Sequence, residues 1–275
     1  MTINNSNIYS SGYVNTSQSL ERIATGLSIN QAADNASGLA ISENLNVQAS
    51  GLAQSIENVN SSIAYLQIGD KAISEQSNIL DQVKENLLQA STGTTSQEGR
   101  EALLDDIQKL LTQFDNIASS TNYNGENLLQ KAADDQTVSD GLQVQAGENS
   151  TDLIESNGIQ ANSLGTGLTG LLNQDPTTFD AATARAYLED VDNAVTQLND
   201  FRSEFGATSG QLQSASRNLG SQYTNTQSAQ SVISNIDYSK EVSNFSKQNI
   251  LAQIGAYGQV QSNNITQQAV LRLLT

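Results

Sequence analysis

The chain has 275 residues, with 29 acidic against 12 basic side chains and a formal net charge of −17. That balance excludes a phosphate-neutralising nucleic-acid binder and a polybasic membrane-surface module, both of which depend on cations. Cysteine, histidine and tryptophan are absent, which excludes disulfide scaffolds, thiolate chemistry and imidazole bases or metal ligands.

One proline, Pro176, leaves long helices almost unobstructed. Charged residues make up 15% and aromatics 5% of the chain. Its polarity therefore comes mainly from Ser, Thr, Asn and Gln, a composition suited to extended helices with narrow apolar seams. The stretch from Met1 to Gly12 has neither a cationic nor an apolar leader region. No run approaches the about 18 apolar residues of a membrane span. The expected alternatives are residence in the cytosol or departure by a route that reads no cleaved signal.

Asn5 to Thr25 is predicted to be helical, with only Ile8, Val14, Leu20 and Ile23 to form an apolar face. A second helix is expected from about Ser37 to Ala90, roughly 80 Å long at 1.5 Å per residue. Its signature is a seven-residue spacing of Leu45, Leu52, Val59, Leu66, Ile73, Leu80 and Leu87. A companion row stands four residues on at Ala49, Ile56 and Ile63. Beyond Leu66 the same offset meets Asp70, Ser77 and Lys84, so the seam must narrow or rotate.

Ser91 to Gln97 reads as a turn with capping chemistry. A shorter helix follows, with Leu103, Ile107, Leu110, Phe114 and Ile117 as its expected buried face, ending before the Asn124-Gly125 turn. From Lys131 to Asp180 one basic residue meets eight acidic ones and no helical period persists. Leu142 to Ala146 alternates like a short strand, and Ser163 to Gly170 reads as loop. A second seam, Val191, Leu198, Phe205, Leu212 and Leu219, predicts a helix from about Asp180 to Asn225, flanked by Leu188 and Val195. The last helix, from about Ile236 to Leu274, carries Val242, Phe245, Ile250, Ile254, Val260 and Ile265 on a looser pattern. Both end helices have too little apolar surface to be stable alone, which points to assembly.

The segment from Leu20 to Asn44, LERIATGLSINQAADNASGLAISEN, resembles the N-terminal signature of bacterial flagellins. In that signature a helix end leads into a Gly-Leu-x-Ile-Asn turn and then an Asp-x-Ala-x-Gly-x-Ala-Ile helix start. NIDYSKEVSNFSKQNIL from Asn235 to Leu251, and AVLRLL from Ala269 to Leu274, are similar to the C-terminal signature. Asn122-Tyr123-Asn124-Gly125 followed by Leu128-Leu129 resembles the family's Phe-Asn-Gly turn. Two departures are Ser28, where the pattern usually has Arg, and a first helix shorter by roughly two turns.

The resemblance implies a mainly α fold, with long antiparallel coiled-coil helices from both chain ends and a small β/loop insert in the middle. Residues 1–36 and 232–275 would form an inner-tube domain, 37–130 and 180–231 a coiled-coil domain, and 131–179 a variable surface segment without separate outer domains. The chain would then be a structural subunit that polymerises into the flagellar filament for swimming. It would be exported unfolded without a cleaved signal peptide and ordered on assembly, and its location would be the extracellular filament. Implied partners are other copies of itself, the export apparatus and its chaperone, and hook-associated and cap proteins; neither nucleic acid nor membrane insertion is expected. A minor flagellin or a hook–filament junction protein is the alternative.

Both seams are expected to be mainly intramolecular. Polymer and chaperone contacts are expected at Ile8, Val14, Leu20, Ile23, Phe245, Ile250, Ile254, Val270, Leu271, Leu273 and Leu274. An Arg-Val-Arg-Glu-Leu stretch that a cell-surface immune receptor reads in many flagellins corresponds to Gln82, Val83, Lys84, Glu85 and Asn86, so weak recognition is expected. Asp105-Asp106, and Asp134-Asp135 with Asp140, are the only candidate cation ligands; they match no calcium-loop spacing and read as solvated acidic surface. No catalytic, metal or cofactor site is expected. An enzyme would need an activated nucleophile or acid–base pair, and no such constellation is visible.

Overall fold

Six helices and two short hairpins make up the computed structural model, which describes residues 5–130 and 137–274. The helices are α1 (Asn5–Thr25), α2 (Ala32–Ala90), α3 (Gln97–Ser120), α4 (Thr169–Leu172), α5 (Ala181–Ser234) and α6 (Tyr238–Leu274). The strands β1 (Asn122–Tyr123) and β2 (Glu126–Asn127) form one antiparallel pair, and β3 (Gln143–Gln145) and β4 (Leu153–Glu155) another. The chain divides into two units, Met1–Ser50 with Tyr223–Thr275, and Gly51–Gln222. Both α2 and α5 contribute residues to each.

In the Gly51–Gln222 unit, the core is built from the two heptad rows and one face of α3. Leu52, Val59, Leu66, Ile73, Leu80 and Leu87 of α2 are buried, as are Val191, Leu198, Phe205, Leu212 and Leu219 of α5. Leu45, in the other unit, is half-buried. The seam of α2 rotates instead of narrowing. Past Leu66 the companion row shifts from four residues on to three, and Gly69, Gln76, Val83 and Ala90 are buried in it. Ile56 and Ile63 of the expected row are only half-buried. A heptad alternates steps of three and four, so either offset keeps a partner in reach. Small Gly69 admits the Phe205 ring; a Cβ there would lie 2.5 Å from its edge.

The buried face of α3 keeps Ile107 and Phe114 of the expected one and is displaced by one residue at its other three positions. Leu104, Ile107, Leu111, Phe114 and Ala118 are buried, while Leu103, Leu110 and Ile117 are half-buried. Ser96 caps this helix, its Oγ accepting the Gly99 N–H at 3.1 Å. On α5 Ala184 extends the main seam by one heptad, the row beside it holds Ala194 and Thr208, and Leu188 and Val195 are half-buried. α5 also runs on to Ser234, beyond the Asn225 end expected from the pattern. Residues 226–234 carry no seam, and Val232 is 85% exposed.

The last turn of α2 has no basic residue of its own. Two of the chain's few cations supply that charge: Arg100 Nε donates to the Ala90 carbonyl at 3.1 Å, and Arg185 Nη2 to Ser91 at 2.8 Å. They satisfy carbonyls that an α-helix leaves open and complement its dipole. Lys84 pairs with Asp192 and Arg202 with Asp70, tying α2 to α5; such part-exposed pairs set register more than stability.

The insert packs on the helices through buried polar contacts. Asp115 of α3 accepts both the N–H and the hydroxyl of Ser163, at 2.6 and 2.7 Å. Gln76 is fully buried in the seam and donates to the carbonyls of Phe114 and Ala161. β3 pairs with β4 through Val144 opposite Ile154, with Val144 buried. The loop expected over Ser163 to Gly170 ends in α4. Leu66→Asp should lower the stability of this unit by about 3–5 kcal/mol, since it opens a cavity in the seam and buries a charge there. Gly69→Ala should cost about 1–3 kcal/mol through overpacking against Phe205, despite alanine's better helix propensity; denaturant melts followed by circular dichroism check both.

Candidate assembly surface

The flagellin-like stretch from Leu20 to Asn44 builds a junction of four helix ends. Gly26 closes α1 in the left-handed region (φ 73°), its N–H donating to the Arg22 carbonyl at 2.9 Å. The Gly26 carbonyl accepts the Ile236 N–H at 3.0 Å, and the Ser28 N–H donates to Ser234 at 2.7 Å. Leu27 and Asn235 thereby form an antiparallel bridge. Ser28 Oγ donates to Ile233 and Ser234 at 3.1 and 3.2 Å, so this residue satisfies carbonyls at the end of α5. The Tyr238 hydroxyl donates to the Ile23 carbonyl.

The side chains of Asp34 and Asn35 organise the turn into α2 by accepting backbone N–H groups. Asp34 Oδ2 accepts the N–H groups of Asn30 and Gln31 at 3.1 and 3.2 Å, and Oδ1 accepts Arg22 Nη2 at 3.3 Å. These donors, the Asn30 N–H foremost, hold its carboxyl below the usual value despite its burial. Asn35 has non-helical backbone angles (φ −165°, ψ 93°), and its Oδ1 accepts the Gly38 N–H at 2.9 Å. It is therefore the N-cap of the long helix proper, which accounts for the start expected near Ser37. Gly38 must lack a side chain: a Cβ would stand 2.7 Å from both Asn35 Nδ2 and Ile29 Cδ1. Asp237 caps α6 in the same way, accepting the Lys240 N–H at 3.1 Å.

Beyond this junction, α1 and α6 lie against each other with little apolar contact. Ser19 Oγ donates to Gln248 Oε1 at 3.2 Å. Among the described residues of this unit, the buried apolar side chains are Ile29, Ala49 and Ala252. The same unit exposes Val14 (55%), Leu20 (55%), Ile254 (60%) and Tyr257 (77%), together with Ile250, Leu251, Val260 and Ile265. Of the expected contact residues, Ile23 and Phe245 are half-buried. The side chains of Ile8, Val270, Leu271, Leu273 and Leu274 lie outside the described residues.

Charge is divided as unevenly as burial. The Met1–Ser50/Tyr223–Thr275 unit contains four basic and five acidic residues, whereas Gly51–Gln222 contains eight basic and twenty-four acidic ones. Asp105 and Asp106 face Lys109, at 2.5 and 3.8 Å. Asp134 and Asp135 lie outside the described residues. Among the described residues no group of three or more potential ligands is arranged to hold a metal ion, and no helix is long and apolar enough to cross a membrane. In the segment from 82 to 86, Gln82 and Glu85 are exposed, Val83 is buried, Asn86 is half-buried and Lys84 is engaged with Asp192.

Residues 1–134 match the bacterial flagellin N-terminal helical region, and residues 188–274 the bacterial flagellin C-terminal helical region. The chain belongs to the bacterial flagellin family. It is 34% identical over 257 residues to a flagellin of Halalkalibacterium halodurans, covering 94% of this chain and 91% of that one. It is 30% identical over 270 residues to the flagellar filament 31.3 kDa core protein of Treponema maltophilum, covering 96% and 94%. Its fold is similar to the crystal structure of Bacillus cereus flagellin, with 27% identity, a TM-score of 0.50, and coverage of 63% of this chain and 94% of that one. A putative flagellar hook-associated protein from Vibrio parahaemolyticus shares the fold at 12% identity and a TM-score of 0.59, over 73% and 99% of the two chains.

The Asp34 clasp makes the junction acid-sensitive. A carboxyl held below its ordinary value of 3.8 contributes stability that is present above that value and is lost as pH falls through the depressed one. Amide protection across residues 26–38, measured against the exchange rate of the unfolded chain at the same pH, should therefore fall as pH drops below about 4. Asp34→Asn should exchange fast throughout and show no acid step from this site.

Proposed function

We propose that this chain is a structural subunit of a flagellar filament, not an enzyme, and that its two end helices are the parts that join copies together. The observation that carries the reading is the combination of near-neutral charge, scarce buried apolar side chains and a row of exposed ones on α1 and α6. Such a surface is stable when neighbouring copies cover it. In this reading α1 and α6 line the inner wall of the polymer, the α2–α5 seams with α3 form the shell around it, and the insert faces outward. The apolar end of α6 serves an export chaperone before assembly, and a chain without cysteine threads a narrow channel free of disulfides. Hook-associated and cap proteins meet the same end helices. Once polymerised, the acidic shell keeps filaments soluble and apart.

Family membership and full-length similarity to flagellar filament proteins support filament subunit over hook–filament junction protein. Seeded polymerisation of purified protein tests the reading. Ile254→Asp should raise the concentration needed for growth by about tenfold or more, given about 1.5–3 kcal/mol for burying such a side chain, while leaving the melt of the Gly51–Gln222 unit unchanged. Unimpaired growth would contradict the assignment. Copies brought together by their neutral unit also bring like charges together. Growth should therefore be favoured as salt shortens the screening length from about 10 Å at 0.1 M to about 3 Å at 1 M, a trend light scattering reads directly; growth that weakens with salt would contradict it.

A further inference from the structure

The sequence contains two Asn-Gly pairs, Asn124-Gly125 and Asn157-Gly158. Glycine places no Cβ between its own nitrogen and the preceding side chain, so both pairs are chemically open to attack of the backbone nitrogen on the Asn amide. We propose that the fold makes Asn124 a site of spontaneous deamidation and protects Asn157, which is exposed too, by holding its backbone in place. In the reaction, the Gly125 nitrogen bonds to Asn124 Cγ, the Cγ–Nδ2 bond breaks, and ammonia leaves with the amide proton, giving a cyclic imide. One water then opens the ring at either carbonyl, producing aspartate or isoaspartate.

Asn124 and Gly125 are both exposed and are the two turn residues of the β1–β2 hairpin, with φ of 53° and 89°. Nothing stands within 4 Å of the position a Cβ would take at Gly125. Ring closure requires the Asn124 ψ angle to rotate out of the turn. The hairpin opposing that rotation has two residues in each strand, with one further bond at its base, Leu128 N–H to Thr121 O at 3.1 Å. A pair of strands this short opens at small cost.

Asn157-Gly158 is held differently. The Asn157 N–H donates to Glu204 Oε1 at 2.8 Å. Gly158 is so closely packed that a Cβ would lie 1.8 Å from the Ser139 carbonyl oxygen. Next to it, the Ser139 N–H donates to Ile159 O at 2.8 Å, and the Ile159 N–H to Ser139 Oγ at 3.0 Å. Rotation about this peptide breaks all three bonds. At Asn124 the aspartate product keeps the turn, because Asp also tolerates the left-handed region. Isoaspartate adds a backbone carbon and displaces Tyr123 from its edge contact with Tyr65, now at 6.0 Å between ring centres.

The test is incubation of the full-length folded protein at mildly alkaline pH, followed by peptide mapping with mass spectrometry and isoaspartyl methyltransferase labelling. A parallel sample is kept in denaturant. Conversion at Asn124 with Asn157 intact in the folded sample, and conversion at both in denaturant, is the expected result. Asn124→Gln, whose longer side chain does not readily close the five-membered imide, should abolish the labelling at that position. Equal conversion of the two pairs in the folded protein, no conversion at Asn124, or the same preference in denaturant would overturn the proposal.

Discussion

Apolar burial is shared unequally along this chain, and the rest of its behaviour follows from that inequality. The Gly51–Gln222 unit closes its own core, with Leu66, Ile73, Phe114 and Leu198 fully buried between α2, α3 and α5. At roughly 25 cal/mol for each Å² removed from water, those rows suffice to order long helices that propensity alone would leave marginal. The other unit also has long helices but, among its described residues, buries few of its apolar side chains. Its buried apolar side chains among the described residues are one isoleucine and two alanines, and its exposed ones lie mostly along α1 and α6, with Ile41, Val47 and Val232 on its parts of α2 and α5. Hydrogen bonds carry more of its order, through the Gly26–Ser28 and Ser234–Ile236 backbone exchange and the Asp34 and Asn35 clasps.

The junction and the charge distribution complement each other. Hydrogen bonds fix directions without needing a core, so the entry from α1 into α2 and from α5 into α6 is defined even where apolar contact is scarce. The near-neutral unit can then meet its own copies without electrostatic opposition, while the acidic unit opposes indiscriminate aggregation.

The heptad rows were legible in the sequence because seven-residue spacing survives every local detail. The finer faces were not. Leu103-Leu104 and Leu110-Leu111 are doublets that give a helix two equally good apolar stripes, both sharing Ile107 and Phe114; the choice fell to the one continued by Ala118, which the expected face missed by counting Ile117 instead. A narrowing or rotation of the α2 seam past Leu66 was legible, but the row it turns to was not, because that row includes Gly69, Gln76 and Ala90, residues that a hydrophobicity pattern does not score. Gln76 is accepted there because the Phe114 and Ala161 carbonyls take its amide protons. Of the exposed apolar side chains on α1 and α6, Val14, Leu20, Ile250 and Ile254 were singled out from sequence, whereas Leu251 and Tyr257 were not, since their exposure depends on how α6 is turned against α1. The Asn35 cap and the role of Ser28 were carried by a motif whose geometry only the folded chain reveals.

Amide hydrogen exchange, compared between single subunits and the polymer grown from them, tests the central claim most directly. Slow exchange in the Gly51–Gln222 helices under both conditions is required, with α1 and α6 exchanging fast in the single subunit and becoming protected on polymerisation. Helices α1 and α6 already fully protected in the isolated subunit, or still unprotected in the polymer, would contradict it.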